Sequence, residues 1–308
     1  MATVTPTRGT TIKMPGIIWI PPIFNPAYGL TVTRSDGKVD TITDLISSLE
    51  IENLVTDGIG RFSFEIWNPN SIFTDKWGNM DVVNYYSDYA ETATTLRFRG
   101  LIEKISYQGY KIRVQGRTDA LRVLGKTVTK QYENIECSVI LANLFDAYGI
   151  EFTQTNINTS TETYTANWYQ KPFWECVIEL CNASGYECYI DPSLDVHFFK
   201  TGSVENTDEG IIHTHNLIRI ADFVDDASLI KNRIIVSGAA QDGIKELYTA
   251  EDTRSQARYG IREEIINDNN ITTYVQAKDL AESKLALFKD PPQTGEIKGI
   301  LLSTIQPG

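Results

Sequence analysis

Between Leu30 and Arg122 one strand-like run follows another, several with apolar residues at every second position, and that period of two marks the region as β-structure. Leu30-Thr31-Val32-Thr33-Arg34 alternates and runs into the turn signal Ser35-Asp36-Gly37. Arg61 to Trp67 alternates cleanly and stops at Asn68-Pro69-Asn70. Thr95 to Ser106 reads as one long strand, Tyr107-Gln108-Gly109-Tyr110 as its turn, and Lys111 to Gly116 as the return. Gly100 and Gly116 interrupt these runs and predict bulges or sharp bends. Strands of this length with one apolar face form a sandwich or a barrel.

The middle of the chain changes period. Val139, Ile140, Asn143 and Leu144 fall at helical spacing within Cys137 to Tyr148, and Gly149 is a stop signal. A strand is expected at Ile150 to Thr153 and a polar loop from Gln154 to Asn167. The unit then repeats. Pro172 opens a helix over Phe173 to Ala183, Gly185 ends it, and Tyr186 to Ile190 and Asp195 to Lys200 form strands around the turn Asp191-Pro192-Ser193-Leu194. Two helix–glycine–strand units make a small α+β module.

Strand signals return after about Asn206, at Leu229 to Gly238 and Tyr259 to Ile266, with Asp268-Asn269-Asn270 as a turn. Thr272 is placed to cap a helix whose apolar side is Ala277, Leu280, Ala281, Leu285 and Phe288, and Pro291-Pro292 stops it. Glu296 to Leu302 reads as a last strand. The chain closes on Ile305-Gln306-Pro307-Gly308, a turn signal with no strand behind it, so further residues are expected past this end. At the other end Pro6, Pro15, Pro21, Pro22 and Pro26 forbid a long helix and predict an extended arm. The expected class is α+β, mainly β: arm 1–28, a first tube-like β-barrel 29–130, the α+β module 131–205, and a second tube-like β-barrel with a helix 206–308.

Charge follows the same division. The formal net charge is −12, and residues 131–205 hold eleven acids against only Lys171 and Lys200. No basic stripe is present to neutralise phosphates, which disfavours tight nucleic-acid binding. No run approaches the roughly 20 apolar residues of a membrane span. Met1 to Gly16 lacks a signal-peptide layout. The four cysteines, Cys137, Cys176, Cys181 and Cys188, are too few for a disulfide scaffold and read as reduced thilols of a protein made in a cytoplasm.

The order of these segments resembles the tail hub family of tailed bacteriophages: baseplate hub proteins, the late control protein D group and the hub region of tail-associated lysins. Phe98-Arg99-Gly100-Leu101-Ile102-Glu103-Lys104-Ile105 with Tyr110 to Arg117 resembles the family's tube-wall strand pair, followed by Thr118 to Leu124. Ser184 to Asp191 resembles the second helix–strand unit, and Lys231 to Gly238 the strand that reopens the tube-like part. The late helix with Ala277, Ala281 and Leu285, and Pro307-Gly308, resembles the family's carboxy-terminal region. The resemblance implies a homotrimer whose paired barrels form a pseudo-six-fold ring, joining a six-fold tail tube to a three-fold tip. It further implies the tail tube or distal tail protein, a tip or fibre protein and the tape-measure protein as partners, DNA only in transit through the lumen, and a place at the virion tail tip.

Chemical alternatives are poorly supported by spacing. Cys176, Cys181, Cys188 and His197 lack the tight pairs of zinc sites, and His213 and His215 lack a third ligand, Asn216 being weak. Asp191 with Asp195 is one of many acid pairs in a chain with forty acids. Gly58-Ile59-Gly60 lacks phosphate-loop context, and no nucleophile elbow is present. No catalytic, cofactor-binding or metal-binding residue is therefore assigned, and the chain is expected not to be an enzyme. Trp67, Trp77, Tyr85, Tyr86 and Tyr89 leave open a receptor- or glycan-binding role in the same virion. The hub of a contractile injection system is a close variant.

Overall fold

The computed structural model describes residues 27–56, 58–88, 92–204, 217–241, 244–268, 271, 273–291 and 293–299. The expected arm lies almost wholly outside the described residues, as do His213 and His215. The fold is mainly β with a few helices, as expected.

Seven strands form the first sheet: β1 (Ala27–Thr33), β2 (Val39–Thr41), β3 (Ile46–Glu52), β4 (Arg61–Trp67), β5 (Val82–Asp88), β6 (Leu96–Gln108) and β7 (Lys111–Thr118). Their order is β2-β1-β5-β6-β7-β4-β3, every neighbouring pair is antiparallel, and the sheet curls into a half-barrel. Alternation sorts the faces. Phe62, Phe64 and Ile66 of β4, Ile112 and Val114 of β7, and Leu30 and Val32 of β1 are buried in one core. Asn68 ends β4 by accepting from the Phe73 N–H at 2.8 Å, and Trp77 donates its indole N–H to Asp40 at 2.9 Å.

Gly100 and Gly116 have a steric cause. A Cβ on Gly116 would lie 2.0 Å from the Leu101 carbonyl oxygen and 2.7 Å from the Phe62 ring. One on Gly100 would lie 2.7 Å from the Arg117 carbonyl oxygen and 2.9 Å from the same ring. The two glycines make the bed on which Phe62 lies. The expected bulge is one step away, where the β6–β7 register shifts between Ile102 and Lys104.

The module has its own core. Helix α1 (Leu121–Leu124) leads into β8 (Thr127–Glu136), α2 (Cys137–Tyr148), β9 (Thr153–Ile157), β10 (Thr163–Pro172), α3 (Phe173–Ser184), β11 (Tyr186–Ile190) and β12 (Asp195–Lys200). Ala120, Val123 and Val128 already belong to this core, although sequence patterning placed them with the first barrel. Both helices meet the expectation, with Phe145 of α2 and Phe173 of α3 edge to face at 5.1 Å. Gly185 sits at φ 71°, a left-handed stop that ends α3.

Two expectations here are corrected. Residues 154–157 and 163–167 are strand and only 158–162 are a loop: β9 runs parallel to β12, and β10 pairs antiparallel with β8. In β10 only Tyr164, Ala166 and Trp168 face inward, between Thr165 and Asn167, so the apolar signal is carried by one alanine and two hydroxyl- or indole-bearing rings. Ile150, expected in a strand, lies in a turn and is 82% exposed; Phe152 instead packs on Phe145.

In the last region β13 (Leu217–Asp225) pairs with β17 (Gln293–Gly299), while β14 (Arg233–Gln241) lies between β15 (Ile244–Glu251) and β16 (Glu263–Asn267). Ala277 and Ala281 of α5 (Tyr274–Phe288) cover Ile234 and Val236 in a third core. The cap is Thr273, one position past the expected one, and it forms a reciprocal capping box with Gln276. Tyr259, expected to open a strand, ends the short helix α4 (Thr253–Tyr259), which Asp252 caps by accepting from the Ser255 N–H at 2.9 Å. Three separate cores therefore follow one another along the chain.

Candidate functional site

The face of the first sheet opposite its core carries an ordered array of polar and charged side chains. Alternation presents Arg61, Ser63 and Glu65 from β4, Arg113, Gln115 and Arg117 from β7, and Glu50 and Glu52 from β3. Register then pairs the charges. Arg61 stands opposite Glu52 and bonds it. Lys111 bonds Glu65 and lies over the Trp67 ring at 5.3 Å. Arg117 donates from Nε to Glu103 at 2.7 Å, and Glu103 reaches it because of the bulge. The Lys111 ammonium and the Ser47 hydroxyl hold the Glu65 carboxyl below the ordinary carboxylate range. Exposed pairs of this kind add little to stability, because solvent screens them. Their effect is to cancel charge. Glu50, Lys104 and Arg113 make no ion pair among the described residues and line an open cleft of about 750 Å³.

The residues considered for chemistry are held in structural roles. Cys137, Cys176, Cys181 and Cys188 are all buried free thiols of the module core. Burial pushes Cys137 and Cys176 up to about 12, so they stay protonated. A hydrogen bond with Cys188, then burial, raises Cys181. His197 stacks on Tyr189 with ring centroids 4.5 Å apart and meets Asp191 at 3.2 Å. No group of three or more His, Cys, Asp or Glu among the described residues is placed to hold a metal ion.

Asp191 and Asp195 do not face one another across a cleft as an acid pair would. Asp191 accepts the Ser193 and Asp195 N–H groups and organises the β11–β12 turn. Asp195 joins β12 to β9 by accepting from Thr153 Oγ1 at 2.6 Å, the Thr155 N–H at 2.9 Å and Asn156 Nδ2 at 2.6 Å. Burial disfavours its charge, but these bonds prevail and hold its pKa at about 2. The folded-state pKa lies below the unfolded 3.8, so the carboxylate contributes stability above pH 3.8 that is lost as pH falls through about 2. Asp195→Asn is expected to lower stability at pH 7 by roughly 2 kcal/mol and to flatten the acid limb of a denaturation midpoint measured from pH 6 to pH 2. An unchanged acid limb would refute this role.

The aromatic set is dispersed. Trp77 is buried in the first core, Trp67 is 53% exposed on the polar face, Tyr85 packs against the core, and Tyr89 lies outside the described residues. Gly58-Ile59-Gly60 is part of the β3–β4 loop; Ile59 packs against the module core and the Gly60 carbonyl accepts the Thr118 N–H at 2.9 Å.

Three polar residues, the buried Asp119 and the half-buried Glu179 and Thr56, were not singled out from sequence. Glu179 receives Tyr164, Trp168 and Lys171. Asp119 sits between Arg99 at 3.2 Å and Arg122 at 3.1 Å. Thr56 bonds the module from the first sheet. Each is one polar residue whose partners come from other elements, and no local motif announces such a residue. At the far side of the module Glu162, Asp279 and Glu282 line a cavity of about 380 Å³ with Lys200, and burial, then Glu162 and Glu282, raise the Asp279 pKa.

A three-core chain with a curled sheet, an α+β module and a helix-covered β region is a fold found among solved tail proteins. A prophage tail protein gp18 from Listeria monocytogenes EGD-e matches 90% of this chain and 82% of its own, with a TM-score of 0.64 at 14% identity. A tail protein from Neisseria meningitidis MC58 matches 85% and 77%, with a TM-score of 0.59 at 11% identity. A 43 kDa tail protein of prophage MuSo2 from Shewanella oneidensis matches 87% and 81%, with a TM-score of 0.59 at 12% identity. At these identities the likeness is one of fold. No protein-family model matches the sequence, and no curated protein matches it. Among the described residues no helix is long and apolar enough to cross a membrane.

Proposed function

We propose that this chain is a structural, non-catalytic subunit of a viral tail, acting as the hub at the tail tip. In this reading three copies form a ring that joins the tail tube or distal tail protein to the tip or fibre protein, with the tape-measure protein and DNA in transit through the lumen. The observation that carries the proposal is the likeness to three solved tail proteins over 85–90% of the chain. Two features of the molecule support it. The first sheet is an open half-barrel whose edges, β2 and β3, are unpaired among the described residues, and such edges are relieved by pairing with neighbouring copies. Its polar face is charge-compensated by cross-strand pairs, which suits a wall past which a polyanion slides without binding.

The test is imaging of the native assembly. A three-fold ring with an open bore at the tail tip is expected; a lone molecule in the particle, or a ring of another symmetry, would overturn the hub reading. Glycan arrays and host-cell binding with the isolated chain test the receptor-binding alternative. Scattering of the aromatic set between core and surface weighs against that alternative.

A further inference from the structure

The first sheet and the module are joined through their covalent junction and through the β3–β4 loop, where Ile59 packs against the module core and Thr56 hydrogen-bonds to the module. The covalent junction is Thr118-Asp119-Ala120, where buried Asp119 pairs ionically with Arg99 of β6 and accepts a hydrogen bond from Arg122 of α1. The second attachment is Thr56 in the β3–β4 loop. Its N–H donates to the Cys188 carbonyl at 2.9 Å, its Oγ1 accepts the Cys188 N–H at 3.1 Å, and its carbonyl accepts the Trp174 indole N–H at 3.1 Å. Thr56 thus completes the free edge of β11, with a side-chain oxygen standing where a partner strand would place a carbonyl. It does so at φ 55°, a left-handed conformation that a β-branched residue rarely adopts.

We propose that Thr56 is a strained, releasable latch on Cys188 and Trp174, and that the module swings about the Asp119 junction when Thr56 lets go and Ile59 withdraws from the module core. Three bonds converge on one residue, so they are made or lost together. The backbone at that residue is held against its own preference and relaxes on release. The open cleft of about 750 Å³ borders the loop at Leu54, Gly58 and Ile59 and gives it room to move. The inference is independent of what the chain assembles into.

The test uses the full chain with Ser48→Cys on the first sheet and Ser193→Cys on the module, both exposed, labelled for distance measurement. The native thiols are buried and react slowly. A single narrow distance distribution is expected with Thr56 present. Thr56→Ala removes the hydroxyl and keeps a Cβ at positive φ, and a second, longer-distance population is expected. Thr56→Gly also lacks the hydroxyl but is unstrained, so its open-to-closed ratio is expected to be lower than that of Thr56→Ala by about fivefold or more. If Thr56→Ala does not fold, Trp174→Phe removes one module-side bond while keeping an aromatic ring, and the same second population is expected. A distribution unchanged in Thr56→Ala, or in Trp174→Phe where that variant stands in, overturns the latch. Equal opening of the alanine and glycine variants overturns the stored strain.

Discussion

Gly116→Ala is expected to unfold the first sheet under conditions where the native chain is folded. A new methyl group would sit 2.0 Å from the Leu101 carbonyl oxygen and 2.7 Å from Phe62. The oxygen belongs to β6, which pairs with β7 along most of its length, so it cannot withdraw without breaking the ladder. Phe62 cannot withdraw either, because it stacks with Phe64 at 6.0 Å and meets Phe98 edge to face at 5.6 Å. Overpacking a filled core costs about 1–3 kcal/mol, and a clash with immovable backbone lies at or above the top of that range. Gly100→Ala has a longer approach, 2.7 Å to the Arg117 carbonyl oxygen, and a smaller loss is expected. Gly125→Ala, with no atom within 4 Å and a right-handed backbone, is the neutral control. Chemical denaturation read by hydrogen exchange in β4, β6 and β7 ranks the three. A Gly116→Ala midpoint equal to that of Gly125→Ala would show that the glycine bed is not what seats Phe62. Exchange read strand by strand is preferable to one overall curve, since a chain with three cores need not unfold in a single step.

Phe173→Ala is expected to destabilise the module by about 3–5 kcal/mol. The ring is fully buried and lies edge to face with Phe145 at 5.1 Å and with Tyr148 at 6.2 Å. It is also the first residue of α3, where its N–H donates to the Lys126 carbonyl at 2.9 Å, so the backbone around it is held in place. The walls of the resulting cavity come from two helices anchored at their own ends and collapse poorly. Phe173→Leu refills most of the volume, and a loss below about 1.5 kcal/mol is expected. Hydrogen exchange in α2 and α3 should rise in the alanine variant well before exchange in β4 and β7 does. Equal losses for alanine and leucine would mean that the site closes over the gap.

The elements read correctly from sequence share a physical property: what stabilises them lies within a few residues. Helix α2 over Cys137–Tyr148, helix α3 between Pro172 and Gly185, and the β11–β12 hairpin around Asp191 were legible because caps, glycine stops and turn residues act locally. The same holds for β4, where Phe62, Phe64 and Ile66 alternate without a break. Strands β9 and β10 were not legible, because β9 has a single apolar residue, Ile157, and the alternation of Tyr164, Ala166 and Trp168 in β10 is carried by one alanine and two polar-tipped rings. Helix α4 was missed because its seven residues carry almost no apolar side, only Ser255 being buried.

Periodicity and glycine placement in the chain alone determined a mainly β protein with an α+β insert, and marked Gly100 and Gly116 as points of bulge or bend; that a side chain there would strike Phe62 and the facing backbone only the structure decided. Only the tertiary structure decided that β4 lies between β3 and β7, that Ala120 belongs to the module, and that Thr56, Asp119 and Glu179 hold separate elements together. Local conformation is set by steric and capping terms that each residue carries with it. Partner choice is set by burial and hydrogen bonding between residues far apart in the chain, such as Trp174 with Thr56, and those energies exist only once the chain has closed on itself.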